Sequence, residues 1–411
     1  MKIIYITANL PHGSTEAFIV PEITQLMRSG NEVLVVPRSP RGRVVHGQEL
    51  LKHARREALH SARVLKTAAA VAAAAPGRTA VAARSLLRSR SLKVAVKNLT
   101  VVPKALWLAD IAVQWRADHI HCHWAGTSAT MAMLASKVSR VPWSLTLHRW
   151  DIVENNLLAA KVRSASFVRF ISKDGLRMAR TIGIGPENNV RVLSMGVTIP
   201  DRLQWRARSK PVVLCPARLA DVKGHRFLIE AWRLLRDRGV DGELWLAGEG
   251  ELRPRLEALT DVLRLRGSIR FLGAVPHSEL LQIYQEGGVS AVVLASIDLG
   301  NGYHEGIPVA LIEAMSYGLP VVATGTGGTV ELVLPGTGLL VPPGDPVALA
   351  NALQTLLQSG TLREQLGDAG RQRVIQGYDV AGITSALLSA MEAARTGVTS
   401  LTSQYAPQST Y

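Results

Sequence analysis

Short apolar runs alternate with amphipathic stretches along two parts of the chain. The first part begins with KIIYITA, continues through an amphipathic stretch from Glu16 to Arg28, and returns to an apolar run, EVLVVP, after Gly30. An apolar run, a run of helical period, a glycine and a second apolar run are typical of a β-α-β unit. The same alternation resumes at HIHCHW and continues through WSLTLH and SFVRFIS.

The second part follows a polar stretch at 201–210 and contains the apolar runs PVVLCPA, ELWLAG, SIRFLG, VSAVVLAS, PVVAT and GLLVPPG, with helical stretches between them. A single core rarely grows beyond ~250–300 residues, so a chain of 411 residues predicts two domains. The pattern predicts the α/β class, with two doubly wound, Rossmann-like domains that face each other across a cleft. Ligands of such sheets bind beyond the carboxyl ends of the strands, and we therefore expect a site in this cleft.

Most of the net charge of +15 lies in one segment, since residues 47–107 hold twelve Lys and Arg against two Glu. We interpret about 47–105 as two or three helices inserted into the first domain, with an apolar face opposite the cations. The candidates for that face are Leu86, Leu87, Val94 and Leu99. The segment is a solvated insertion, a surface for anionic lipids, or a clamp for a phosphorylated acceptor. Nucleic acid is not expected, because no aromatic residues or binding motif accompany the charge.

Two further features bear on where in the cell the protein is expected. No run reaches the ~18–20 apolar residues of a membrane-spanning helix, and the first residues resemble a buried strand more than a signal peptide. Cys122 and Cys215 each sit in a strand-like run and can form neither a disulfide framework nor a CxxC metal site. We expect a cytoplasmic protein that could associate with the inner face of the cell membrane.

The strongest local signal is HEGIPVALIEAMSYGLPVVATGTGGTVE, in which Glu305 and Glu313 stand eight positions apart. With a helix starting near Pro308, both carboxylates could face one ligand, and the helix N-terminus would attract an anion. Gly327 and Gly328 follow a strand and would let backbone N–H groups approach a phosphate. An isolated pair of glutamates would be ordinary surface residues, but these neighbours at matching offsets make that interpretation unconvincing.

This block resembles the donor-site signature of the retaining GT-B glycosyltransferases of family 4 (GT4 type), and exopolysaccharide and colanic-acid members are the most similar in character. The resemblance covers most of the chain. It implies that Glu305 orients the donor sugar and that Glu313 takes the nucleotide ribose. It also implies donor contacts at Gly306, Ile307, Gly327 and Gly328.

Other second-domain motifs match the same family. PARLADVKG resembles its R-x4-K element, which implies that Arg218 and Lys223 contact the donor diphosphate. Gly248 and Gly250 match a turn after the next strand, and Leu272 matches the segment that faces the nucleobase. Two cations would neutralise the leaving phosphate as the glycosidic bond breaks.

In the first domain, SLTLHRWDI resembles the family's H-G-x-D element, although Arg149 stands in place of the usual glycine, a departure that bears on the local backbone shape and on acceptor choice. The resemblance implies that His148 lies beside the donor sugar as a catalytic residue and that Asp151 steadies the turn or the acceptor. Ser194-Met195-Gly196-Val197 resembles the interdomain N-G-V-D element but lacks its acid. The remaining acceptor-side candidates are Ser14, Glu16 and His123.

His119, His121 and His123 alternate along a predicted strand and share one face, a geometry that could bind zinc. We favour a structural or acceptor-side role, because no fourth ligand is evident. No D-x-D element is present, and we expect no metal and no cofactor, with the nucleotide sugar as substrate.

These observations predict a retaining hexosyltransferase that moves a sugar from a UDP-sugar, or next a GDP-sugar, to a glycan, lipid-linked or other hydroxyl acceptor in cell-surface polysaccharide or glycolipid synthesis. The alternatives are a nucleotide-sugar 2-epimerase and a non-catalytic nucleotide-sugar-binding subunit; a phosphorylase fits less well, because no pyridoxal lysine is visible. We assign 1–203 to an acceptor-side domain, 204–380 to a donor-binding domain, 381–395 to a helix packed back on the first domain and 396–411 to a flexible tail.

Overall fold

The computed structural model describes residues 1–13, 16–44, 47–184, 189–200 and 210–397. Within them, the strands form two six-stranded parallel sheets. The first sheet, in the order β2-β1-β3-β4-β5-β6, contains β1 (Lys2–Thr7), β2 (Glu32–Pro37), β3 (His119–His123), β4 (Trp143–Leu147), β5 (Phe167–Phe170) and β6 (Val190–Val192). The second, in the order β12-β11-β10-β7-β8-β9, contains β7 (Val212–Pro216), β8 (Glu243–Ala247), β9 (Ile269–Gly273), β10 (Ala291–Leu294), β11 (Val321–Thr324) and β12 (Leu339–Val341).

Helices cover the faces of both sheets. Those of the first part of the chain are α1 (Val20–Arg28), α2 (Ala62–Ala74), α3 (Pro76–Arg84), α4 (Leu92–Leu99), α5 (Val102–Gln114), α6 (Thr127–Ser139), α7 (Arg149–Glu154), α8 (Leu158–Ser164) and α9 (Lys173–Thr181). Those of the second part are α10 (His225–Asp237), α11 (Arg253–Val262), α12 (His277–Gln285), α13 (Val309–Ser316), α14 (Thr329–Leu332), α15 (Pro346–Gln358), α16 (Gly360–Gly377) and α17 (Val380–Thr396). Short 3-10 helices lie at Ala17–Ile19, Gln48–His53, Ser85–Arg88 and Asp221–Lys223.

The predicted α/β class with two doubly wound sheets is confirmed. Parallel strands covered on both faces are buried along their whole length, which explains why runs such as Ile3–Ile6 and VVLCP read as continuously apolar. The strand order reverses between β1 and β3, and again between β7 and β10. Loops diverge at these switch points and leave a crevice beyond the carboxyl ends of the strands.

The basic insertion contains more helices than the two or three predicted. The segment from 47 to 105 holds α2, α3, α4 and the start of α5. Its expected apolar face was wrong in part: Leu86 and Val94 are buried, whereas Leu87 is 83% and Leu99 56% exposed. Successive residues of a 3-10 turn point about 120° apart, which separates Leu87 from Leu86. Five positions along an α-helix turn by about 500°, so Val94 and Leu99 cannot share a face.

The last helix, α17, packs against the first sheet and α1. Its Leu387 and Met391 share a core with Ile3, Tyr5 and Ile23. The predicted tail falls largely on 398–411, outside the described residues. Within the described part of the chain, every helix is too short or too polar to span a lipid bilayer.

Candidate active site

Glu305 and Lys223 lie together beyond the carboxyl ends of β10 and β7. The Lys223 ammonium donates to Glu305 Oε2, and Ser296 Oγ donates to the same oxygen at 3.1 Å. Both side chains of the ion pair remain partly exposed, at 22% for Lys223 and 15% for Glu305. The structure therefore brings a predicted diphosphate contact and a predicted sugar contact to one point. Ser296 was not predicted, since a serine after a buried strand gives no distinct signal.

Glycines hold the two sides of this pair at close range. A Cβ on Gly224, directly after Lys223, would lie 1.9 Å from the carbonyl oxygen of Ala295. Gly327 has a φ of +48°, and a Cβ there would lie 1.9 Å from the carbonyl oxygen of Glu305. The N–H of Gly328 donates to that same oxygen at 3.3 Å. The glycine loop after β11 thus supports the backbone of Glu305.

Arg218 stands on the loop after β7 and is the more accessible cation. Its side chain is 71% exposed, and its nearest carboxylate, Glu251, is 3.9 Å away. Gly248 and Gly250 shape this loop, because a Cβ at either would lie 2.1 or 2.2 Å from a carbonyl oxygen of the segment 217–219. The structure places these glycines against the backbone that carries Arg218.

Glu313 lies in the second turn of α13 and is 8% exposed. His277, the first residue of α12, contacts Glu313 Oε1 through Nε2 at 2.7 Å. This hydrogen bond raises the pKa of His277. His277 was missed by the sequence reasoning, because only the packing of α12 beside α13 brings it there.

The remaining donor-side candidates line the same edge. Ile307 is buried at 8% exposure, whereas Leu272 on β9 is 37% exposed. Gly306 has no atom within 4 Å of the position a Cβ would take. Leu272 therefore offers an accessible apolar surface, and the backbone around Gly306 is open.

His148 lies at the carboxyl end of β4 and faces into the first domain. Its Nε2 is 2.5 Å from His123 Nε2, and its ring stacks on Trp124 with centroids 4.1 Å apart. Burial lowers the pKa of His148 to about 3, with a further contribution from Arg169. At neutral pH the imidazole is uncharged and a weak base.

Two acceptor-side candidates use their carboxylates to hold loops. Glu16 accepts hydrogen bonds from three backbone N–H groups of residues 8–10, and from Trp124 Nε1 at 2.8 Å. Asp151 accepts from the N–H of His148 at 2.9 Å and of Ala125 at 2.7 Å. Asp151 thus steadies the local turn, one of its two predicted roles. Ser14 lies outside the described residues.

A buried polar network surrounds the histidines of β3. Glu22, His121 and His123 place ligand atoms within 4.8 Å of one another, the spacing of a possible metal site. Glu22 is already bound by Arg169 at 2.5 Å and by Tyr5 at 2.6 Å. Both ring nitrogens of His121 lie within hydrogen-bonding distance of hydroxyl groups on β4, at 2.7 and 3.0 Å. These contacts support the structural interpretation of the cluster.

The two domains touch where Arg149 stands in place of the expected glycine. Its guanidinium lies 4.5 Å from the Trp150 ring centroid and 5.9 Å from that of Tyr303. Trp150 and Tyr303 meet edge to face at 4.7 Å. Nearby, the Glu331 carboxylate accepts from two backbone N–H groups at the start of α9, at 2.8 and 2.7 Å. The altered residue therefore packs between the domains at the mouth of the cleft.

Comparison with known proteins identifies the chain. Residues 201–373 match the model of the family "Glycosyl transferases group 1". A putative colanic acid biosynthesis glycosyltransferase of Salmonella typhimurium is 30% identical over 299 residues, covering 69% of this chain and 72% of the relative. The chain belongs to the group 1 glycosyltransferase family.

Further similarity extends over nearly the whole glycosyltransferase. An amylovoran biosynthesis glycosyltransferase of Erwinia amylovora is 27% identical over 391 residues, covering 87% of this chain and 91% of the relative. The Anabaena protein HepE, solved with UDP and glucose, superposes with a TM-score of 0.71 at 19% identity, covering 95% of this chain and 99% of that chain. The predicted family and the GT-B fold are confirmed.

Proposed function

We propose that this glycosyltransferase moves a sugar with retention of configuration from a nucleotide-diphosphate donor to a hydroxyl group of a glycan or lipid-linked acceptor. The observation that carries the proposal is the partly exposed Lys223–Glu305 pair, whose lysine follows β7, as does the accessible Arg218. A pyrophosphate needs cations, and sugar hydroxyls need acceptors; this edge of the second sheet offers both.

The cations stabilise the leaving group in this proposal. Negative charge accumulates on the diphosphate as the glycosidic bond breaks, and fixed positive charges stabilise it most where water is excluded. Arg218 presents a fork suited to phosphate oxygens. Lys223 is held by Glu305 and can share its three N–H donors between that carboxylate and a phosphate. These cations would take the place of a divalent metal.

The pKa of His148 bears on which group accepts the proton of the acceptor hydroxyl. Because its pKa lies near 3, His148 is neutral at physiological pH and a poor general base. A phosphate oxygen of the donor would therefore take the proton of the acceptor hydroxyl as that hydroxyl attacks the face from which the diphosphate leaves. In this proposal His148 shapes the wall of the sugar site rather than transferring a proton.

UDP is the favoured nucleotide and GDP the next. HepE, which shares the fold, was solved with UDP and glucose. The relatives named for colanic acid and amylovoran biosynthesis favour a role in cell-surface polysaccharide or glycolipid synthesis. The enzyme would then use a cytoplasmic nucleotide sugar and act on an acceptor at the inner face of the membrane.

A membrane contact is supported by the surface around α4. Leu87 is 83% exposed, Leu92 81% and Val96 52%. Exposed cations lie between and beside these apolar residues: Arg84, Arg88, Arg90, Lys93 and Lys97. Apolar side chains that enter the interface, surrounded by cations attracted to anionic headgroups, are the features of a peripheral membrane surface.

The test of the transferase proposal replaces Glu305 with Ala. UDP release from UDP-sugars, measured with a lipid extract as the source of acceptor, should fall by about 10²–10³, as when a group that acts on the transition state is removed. The control is Glu364→Ala, an exposed glutamate on α16, which should keep full activity. Near wild-type turnover by a folded Glu305→Ala enzyme would overturn the assignment.

A further inference from the structure

An open cavity lies at the outer end of the first sheet, away from the donor residues. It has a volume of about 640 Å³ and is lined by His12, Pro40, Ala54, Arg55, Arg56, Glu57 and Arg63. His12 follows β1 and Pro40 follows β2, so the cavity opens at the carboxyl edge of the sheet, the same edge that carries His148. The start of the basic insertion forms its other wall.

Positive charge at this cavity is poorly compensated. Three arginines line it against one glutamate, and that glutamate pairs with Arg63 at 3.4 Å. Of the three arginines that line the cavity, only Arg63 forms an ion pair among the described residues. An arginine pair without carboxylates presents free N–H forks, which match the oxygens of a phosphate.

A buried cation supports the wall behind the cavity. Lys104 is fully buried, and its ammonium donates to the carbonyl oxygens of Pro37 at 2.6 Å, Arg38 at 3.1 Å and Glu57 at 2.5 Å. It thereby ties the end of β2 to the segment that carries Arg55. Burial and the nearby Arg38 lower the pKa of Lys104 to about 7, although Glu57 opposes this shift. An anion bound nearby would favour the charged form of this ammonium.

His12 forms part of the cavity wall. Its Nδ1 contacts the carbonyl oxygen of Gly42 at 3.0 Å, which identifies Nδ1 as the protonated nitrogen. Its Nε2 is buried without a hydrogen-bond partner among the described residues.

We propose that this cavity binds a phosphate group of the acceptor substrate, through Arg55 and Arg56. This inference rests on the proposed transferase function, because it assigns a site to the acceptor of that reaction. The phosphate could belong to a lipid-linked diphosphate acceptor or to a soluble phosphorylated one, since both present the same oxygens to the arginines.

The test measures anion binding without turnover. Inorganic pyrophosphate is titrated calorimetrically into the full-length protein whose donor site is saturated with UDP. Wild-type protein should bind one further pyrophosphate, and Arg55→Ala/Arg56→Ala should weaken that binding at least tenfold. The matched control, Arg255→Ala/Arg264→Ala, removes the same charge from exposed positions on α11 and the turn after it, and should stay within twofold of wild type.

UDP binding and pyrophosphate binding are measured separately, so failure of the transferase proposal can be distinguished from failure of the phosphate subsite. Absence of UDP binding to folded protein would count against the transferase proposal, whereas the pyrophosphate titration would still report on the cavity. Equal pyrophosphate affinity in the three proteins, or no second binding event, would refute the phosphate subsite. Vesicles of phosphatidylglycerol and of phosphatidylcholine form the second arm. If Arg55→Ala/Arg56→Ala lost only vesicle binding, the cavity would be a lipid surface and the proposal would be wrong.

Discussion

Replacing Gly327 with Ala should impair catalysis through the position of Glu305, although Gly327 itself contributes no side chain. The new Cβ would lie 1.9 Å from the Glu305 carbonyl oxygen, whereas ordinary contacts begin at 3.4 Å. The loop carrying Glu305 must therefore move by about 1.5 Å. A displacement of about 1 Å at a reacting centre can cost about 10²-fold in rate. The left-handed φ of +48° adds about 1–2 kcal/mol of backbone strain for Ala.

The assay is UDP release at saturating UDP-sugar, with thermal unfolding measured on the same preparations. Gly325→Ala is the matched control in the same loop, because a Cβ there would meet its nearest atom at 3.7 Å and φ is not positive. We expect a fall of about 10²-fold in kcat for Gly327→Ala and little change for Gly325→Ala. Equal kcat values for the two folded variants would refute the view that the glycine loop positions Glu305.

Three further predictions follow from buried or exposed side chains. His277→Ala should raise KM for the donor about tenfold with less effect on kcat, because Glu313 loses the partner that holds it, and initial-rate kinetics will show the split. His225 is buried with a pKa near 4, so the folded protein binds fewer protons than the unfolded chain from pH 6.5 down to 4. The free energy of unfolding should fall as pH falls through this window, and His225→Phe should remove about 1 kcal/mol of the loss between pH 7 and 5.5 in urea titrations. Leu87→Ser/Leu92→Ser should weaken binding to phosphatidylglycerol vesicles at least tenfold in a sedimentation assay, since each buried leucine contributes about 1.5–3 kcal/mol.

The alternation of apolar runs and helical stretches was sufficient to predict both sheets. The reason is that parallel strands covered on two faces are mostly apolar, and the helices between them are amphipathic. Glu305 and Lys223 could be placed for a related reason. Each follows a strand next to the switch point of the second sheet, where the topology brings both loops to one edge.

The sequence patterns could not predict which side chains contact each other. The contact between His148 and His123 depends on the register of β3 and β4, in which His123 stands beside Thr146. Likewise, the exposure of Leu87 depends on a 3-10 turn that helix-forming residues do not signal. Such contacts arise from packing between distant segments, whereas periodicity reports only which face of an element is buried.

The central claim is that the donor diphosphate binds at Arg218 and Lys223, beyond the carboxyl end of β7. Calorimetric titration of UDP into wild-type protein and into Arg218→Ala/Lys223→Ala tests it most directly. Loss of charge-assisted hydrogen bonds to phosphate, each contributing about 1.5–3 kcal/mol, predicts that the variant binds UDP at least a hundredfold more weakly. Unchanged UDP affinity in a folded variant would contradict the account.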